Sequence, residues 1–311
     1  MPTLLWMQTG ACSGDTMALL CADRPAFEHL LDDYDMELLW HPSLSAGGGF
    51  GAALARVLEG GTPLDILCVE GSLVTGPDGT GLCDTWRGRP KTAIVRELAA
   101  RARHVVAMGT CAAFGGIHAA PPNPSDCTGL QFDRERPGGL LGPDWRGGGG
   151  LPVINVAGCP AHPETMTKVL AMLASGMPLE LDALQRPAAF FGSMVHQGCT
   201  RNEYHEYDVE DRVPGGRGCM FFNLGCQGPL TLAPCNTELW NGRSSKTRAG
   251  VPCFGCTSPG FPRDGDLFAT PRIGDVPRVL PLGVARAGYL AYKNLAKAAA
   301  PERVVKRRME P

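Results

Sequence analysis

Thirteen cysteines in a 311-residue chain, most of them beside Gly or Pro in short loops, limit what this sequence can build. Cys12 lies in GACSGD, Cys111 in GTCAAFGG, Cys159 in GCP, Cys199 in HQGCTRN and Cys253/Cys256 in PCFGC. An odd cysteine count without export features points to metal ligation or free thiols and away from disulfides. Soft thiolates on Gly-rich loops are what iron–sulfur clusters require.

The remaining composition narrows the class. Apolar residues make up 44% of the chain, enough for a sizeable core. A net charge of −2 gives no reason to expect nucleic acid or an anionic membrane as a partner. With 41 Gly and 27 Pro the chain is loop-rich. The opening MPTLLWMQTG has neither a basic n-region nor a twin-arginine pair, and no stretch approaches a membrane span. The expectation is a cytoplasmic protein, held peripherally at a membrane only through a partner.

Strand-like apolar runs at Thr3–Met7, Met36–Trp40, Asp65–Val69, His104–Met108 and Val153–Val156 interleave with helix-compatible stretches at Gly51–Glu59, Thr92–Arg103 and Pro163–Ala174. This βαβ rhythm predicts an α/β domain with a parallel sheet covered on both faces. In such sheets ligands bind beyond the carboxyl ends of the strands. Those ends lead into Gly10-Ala-Cys12-Ser-Gly-Asp15, Val69-Glu70-Gly71, Gly109-Thr-Cys111 and Gly158-Cys159-Pro160. After about Pro187 the periodicity fades, and Gly, Pro and Cys dominate from His196 to Pro262. That segment leaves little room for a large apolar core and could be held together by its metal centres. Gly283–Lys306 reads as one helix followed by an exposed basic tail, KRRMEP.

Three groups of ligands emerge. The first is Cys12, Asp15, Cys111 and Cys159, in which Asp15 is either a ligand or an N-cap for a helix starting at Thr16. The second is His196, Cys199, Cys219 and Cys226, a set that suits an iron–sulfur cluster or zinc. The third is Cys235, Cys253 and Cys256, three ligands for a three-iron cluster or for a four-iron cluster with a non-cysteine fourth. Cys21, Cys68, Cys83 and Cys127 are left over as small buried apolar residues. His29, His41, His104, His118, His162 and His205 are assigned to no site.

Taken in order, Gly10-Ala-Cys12-Ser-Gly, Val69-Glu70-Gly71, Gly109-Thr-Cys111-Ala, Val156-Ala-Gly-Cys159-Pro160, His196-Gln-Gly-Cys199, Gly225-Cys226-Gln-Gly-Pro229, Cys235-Asn236, Leu239-Trp240-Asn241 and Cys253-Phe-Gly-Cys256 resemble the small, electron-transferring subunit of [NiFe] hydrogenases over nearly the whole chain. The resemblance implies a flavodoxin-like domain over residues 1–187 holding a proximal [4Fe-4S] cluster. It implies an irregular, loop-rich iron–sulfur domain over 188–311 holding a medial and a distal cluster. It implies an obligate large subunit with the nickel–iron centre, so that this chain relays the electrons and has no catalytic residue of its own. A dimer of heterodimers, and an acceptor protein or quinone as electron sink, are further expectations.

Departures from the family pattern refine this picture. The family usually has cysteine where Asp15 stands, and a cluster held by three cysteines and one aspartate resembles the actinobacterial-type, oxygen-insensitive uptake enzymes. On that basis Asp15 is expected as a proximal ligand. His196, Cys199, Cys219 and Cys226 are expected to hold a distal [4Fe-4S] cluster. Lys246 stands where the hydrogen-sensing branch can carry a fourth medial cysteine, so Cys235, Cys253 and Cys256 are expected to hold a [3Fe-4S] cluster, with [4Fe-4S] as the other form. Glu70 is expected beside the proximal cluster and Trp240 beside the medial one, packing or shielding. The sensing branch, signalling through a kinase partner, is the alternative function, since LLCAD, LLWHPSLS and CTRNEY resemble it too.

Overall fold

The computed structural model describes residues 1–45, 49–274 and 276–306. All but the first residue of the expected basic tail lie outside the described residues. The chain divides into two compact units, Met1–Phe190 with Cys256–Pro262, and Phe191–Gly255 with Arg263–Pro311.

The first unit is built on five parallel strands: β1 (Thr3–Gln8), β2 (Glu37–Trp40), β3 (Leu64–Glu70), β4 (Ala102–Met108) and β5 (Ile154–Val156). Their spatial order is β5-β4-β3-β1-β2. This is the flavodoxin-like order, with its switch point between β1 and β3. The sequence alternates little within these strands because parallel strands are covered on both faces. Ile66, Leu67, Cys68 and Val69 of β3 all have 0% exposure. Helices α1 (Gly14–Leu19), α2 (Phe27–Asp33), α3 (Gly49–Leu58), α4 (Lys91–Ala99), α5 (Gly109–Phe114) and α6 (Pro163–Ala174) complete the unit. The path from β1 through α1 and α2 to β2 runs one way along the sheet, and the path through α3 to β3 runs back. Right-handed crossovers therefore place these connections on opposite faces. In keeping with this, α6 packs on α1 and α2, while α3 packs on α4.

The segment Cys256–Pro262 belongs to this first unit. The Thr110 hydroxyl donates to the Cys256 carbonyl, and the Arg186 guanidinium to that of Thr257 at 3.3 Å. Arg134 donates to the carbonyls of Gly260 and Pro262 at 3.0 and 3.3 Å.

The second unit has a real apolar core. Val195, Tyr204, Val209, Met220, Phe221, Leu224 and Ala233 pack together with Cys219, Cys226 and Cys253. The expectation of a segment with little apolar core is corrected here, because the cysteines themselves serve as core residues. A second correction concerns the C-terminal helix, which is two helices, α7 (Arg286–Ala298) and α8 (Glu302–Val305). Pro301 caps the latter and cannot continue the former, since it lacks the N–H an interior position needs. Of the four leftover cysteines, Cys68 and Cys127 are buried, but Cys21 and Cys83 are exposed.

Candidate metal centres

The β1 loop carries Cys12, the α5 segment beyond β4 carries Cys111, and the turn after β5 carries Cys159. All three therefore lie at the carboxyl edge of the sheet. Asp15 joins them from α1. Ser13, in a left-handed conformation, takes the N-cap position, so Asp15 is not the cap. Its buried carboxylate instead accepts the Ala161 N–H, just past Cys159, at 2.7 Å.

Glu70, at the end of β3, fixes this loop. It is 1% exposed and accepts from the Trp6 indole at 3.0 Å, the Gln8 amide at 2.9 Å and the backbone N–H groups of Asp15 and Thr16 at 3.1 Å each. The Thr16 hydroxyl is its fifth donor. A buried carboxylate needs such partners, and here they satisfy the orphan N–H groups at the start of α1. The role expected for Glu70 beside the first ligand group becomes specific: it holds β1, β3 and α1 together.

Two glycines leave room for the donors. A Cβ on Gly109, whose φ is +80°, would come 2.1 Å from Asp15 Oδ2. One on Gly116, at φ +55°, would come 2.7 Å from Cys111 Sγ. Burial raises the Cys111 thiol, and the neighbouring Ile117 N–H and Ser72 side chain oppose that rise.

Electrostatics shows how close these groups are. The Cys159 thiol is pushed up to about 12 by burial and by the charges of Cys111, Cys256, Asp15 and Cys12. Burial also pushes the Asp15 carboxyl up to about 7, with the Ala161 N–H opposing it and Glu70 adding to it. The Cys111 and Cys159 thiols and the Asp15 carboxyl, gathered where burial penalises their ionisation, make with Cys12 a donor set that a multiply cationic metal core would relieve. An iron–sulfur cluster fits the residues present.

The second group meets in the second unit. His196, Cys199, Cys219 and Cys226 line a single pocket whose apolar walls include Val195, Met220, Phe221 and Pro229. Each of its three sulfurs has a backbone donor: Arg201 N–H to Cys199 at 3.4 Å, Phe221 N–H to Cys219 at 3.4 Å and Cys253 N–H to Cys226 at 3.3 Å. Burial, helped by His205, lowers the His196 imidazole to about 4, so it stays neutral and able to ligate. Burial raises the Cys219 and Cys226 thiols. Buried Arg201 is tied to the carbonyls of Thr247 at 2.8 Å and Gly218 at 2.6 Å and to Asp211 at 3.2 Å.

Sequence spacing assigns His205 to no site, yet its ring meets that of His196 at 4.9 Å, edge to face. Its Nδ1 lies 3.6 Å from Cys219 Sγ and 3.8 Å from Glu210. Spacing could not reveal it, because its contacts with this group are made across the fold. The short helical turn Asn202–Glu206 carries it.

Of the third group, Cys256 belongs to the first unit and Cys235 and Cys253 to the second. Cys253 is buried and Cys235 half-buried, both with the second unit's core. Trp240 is half-buried in a tight turn, its N–H donating to the Ser244 carbonyl at 3.0 Å. Lys246 is exposed, its ammonium 5.8 Å from the centre of the Phe254 ring.

Residues 12–173 match the family model described as NADH ubiquinone oxidoreductase, 20 Kd subunit, and residues 191–269 match that of the C-terminal region of the NiFe/NiFeSe hydrogenase small subunit. The periplasmic [NiFe] hydrogenase small subunit of Solidesulfovibrio fructosivorans is 32% identical over 84% of this chain and 79% of its own length. The chain is a [NiFe] hydrogenase small subunit. The uptake hydrogenase small subunit of Afipia carboxidovorans is 33% identical over 88% of this small subunit and 71% of its own length. Among solved structures, an actinobacterial-type NiFe-hydrogenase from Ralstonia eutropha H16 matches with a TM-score of 0.77 at 28% identity, covering 100% of this chain and 92% of that one. As in its family, this small subunit pairs with a large subunit, and the enzyme is an oxidoreductase.

Two outcomes are expected at the first site. Glu70→Ala leaves several buried donors without an acceptor and should lower the unfolding free energy by about 3 kcal/mol or more, read from denaturant melts of the assembled protein. Gly116→Ala should lower iron and sulfide per complex by displacing Cys111, whereas Gly88→Ala, at φ +79° with nothing within 4 Å, should strain the backbone as well but leave metal content unchanged.

Proposed function

We propose that this small subunit relays electrons, released when a large-subunit partner oxidises hydrogen at its nickel–iron centre, to an external acceptor. Support comes from two four-donor sets on one chain, Cys12/Asp15/Cys111/Cys159 and His196/Cys199/Cys219/Cys226, the second lining one apolar-walled pocket. Each set would hold a [4Fe-4S] cluster, and Cys235, Cys253 and Cys256 a [3Fe-4S] cluster. Such clusters, when bound, supply reversible one-electron storage.

The chain's own residues set the conditions for that chemistry. Backbone N–H groups aimed at Cys199, Cys219 and Cys226 withdraw charge from the sulfurs, which favours the reduced state. Neutral His196 adds no negative charge, so it acts in the same direction. Val195, Met220 and Phe221 exclude water. At the first site Asp15 contributes a harder oxygen donor in place of a thiolate. We connect that donor with oxygen insensitivity, as in an uptake enzyme working in the cytoplasm. Among the described residues no helix is long and apolar enough to cross a membrane.

The test is low-temperature EPR of the complex with its large subunit, oxidised and then hydrogen-reduced, with iron and sulfide quantified. An oxidised three-iron signal together with two reducible four-iron clusters is expected. Three four-iron clusters would overturn the three-cysteine assignment and favour the sensing branch. For Asp15→Cys, the expected result is a shifted potential for one cluster and faster loss of hydrogen-oxidising activity in air. If potential and air stability both stay put, the link between Asp15 and oxygen insensitivity is wrong.

A further inference from the structure

A cavity of about 750 Å³ opens beside the His196 pocket, within the second unit. Its volume falls in the range of small-molecule sites, about 300–1,000 Å³. One wall is the loop from Asp211 to Cys219, and this loop begins and ends on the ligand. The Asp211 N–H donates to the Cys219 carbonyl at 2.7 Å, and the Cys219 N–H donates to that of Val209 at 2.8 Å. Gly218 and Glu210 face the cavity, while Cys219, next in sequence to Gly218, faces the His196 pocket. His205 spans the wall between, touching Cys219 and facing Glu210. One layer of residues separates the two spaces.

The cavity's charge is lopsided. Phe222 lies in its lining with the Arg272 guanidinium 4.2 Å and the Lys293 ammonium 3.9 Å from its ring centre. The loop adds Arg212 and Arg217, both exposed, which form no ion pair among the described residues. The acidic groups are engaged elsewhere. Asp208 takes Lys293 at 3.2 Å and Lys297 at 3.7 Å, and Asp211 takes Arg201 at 3.2 Å. Glu210 accepts the Phe222 N–H at 3.3 Å and faces His205. Arg272 is bound to the Phe222 carbonyl at 2.9 Å and the Asn223 side chain, with no carboxylate. Three guanidinium groups are thus left to bind carboxylate, sulfonate or phosphate oxygens. Val213, 66% exposed between the loop arginines, offers an apolar contact.

We propose that this cavity is the docking site of the electron acceptor, and that the acceptor is a small anionic organic molecule with an apolar ring system. The inference rests on the relay reading above and specifies where the relay ends. Each hydrogen molecule yields two protons and two electrons, so a two-electron acceptor bound here leaves reduced once per hydrogen consumed. The basic loop would steer an anion inward, an effect that salt weakens.

The experiment measures hydrogen-driven dye reduction by the assembled complex, with a sulfonated indigo as the anionic acceptor and methylene blue as the cationic one. In the Arg212→Glu/Arg217→Glu variant the ratio of kcat/KM for the anionic dye to that for the cationic dye should fall at least tenfold. Arg212→Lys/Arg217→Lys should restore most of it. In the unsubstituted complex, added salt should slow the anionic dye and spare the cationic one. This salt series needs no variant to fold. An unchanged ratio, or salt acting alike on both dyes, overturns the docking site while leaving the relay intact. If hydrogen reduces neither dye in the unsubstituted complex, the relay reading fails and the docking site falls with it.

Discussion

The Glu70 carboxylate is the fixed point of the first unit. A charge buried to this degree is tolerated only when its oxygens are fully engaged, and five donors from β1 and α1 engage these. They come from elements that meet at the switch point, where an open sheet leaves a crevice. The Cys12–Asp15 loop is anchored by this carboxylate, which takes the Asp15 and Thr16 N–H groups and so fixes where Asp15 stands at the sheet edge.

In the second unit the same sulfurs do two jobs. Cys219, Cys226 and Cys253 are core residues with under 10% exposure, and the first two also line the His196 pocket. Because burial raises the Cys219 and Cys226 thiols, both can sit in that core as neutral groups. Packing and ligation are compatible in one cluster because a thiol behaves as a small hydrophobe until a metal displaces its proton.

Much of this is legible in the sequence. The five strands and α6 follow from apolar runs and turn residues, and His196, Cys199, Cys219 and Cys226, which line one pocket, from their closeness in sequence. The strand order is not legible, because hydrogen bonding between distant segments leaves no local trace. Asp15 shows the limit of local reasoning. Its spacing suits a cap, but Ser13 takes that position and the Asp15 side chain turns to Ala161, more than a hundred residues away. The second unit's core escapes a reading that counts its cysteines only as ligands. His205 escapes it because its partners, Cys219 and His196, become its neighbours only in the fold. The single C-terminal helix fails at Pro301, where the missing N–H was a local signal to stop.

The first unit is not complete at Phe190. Thr110, Arg134 and Arg186 find their acceptors on Cys256–Pro262, a segment the chain supplies only after most of the second unit has been made. During synthesis the N-terminal sheet can therefore form early but must wait for its last seam. The ribosome has to release the second unit's ligand loops before the first unit closes. A fragment cut at the apparent boundary would carry the sheet and lack the strap that finishes it, so the two units share one order of assembly although each has its own core.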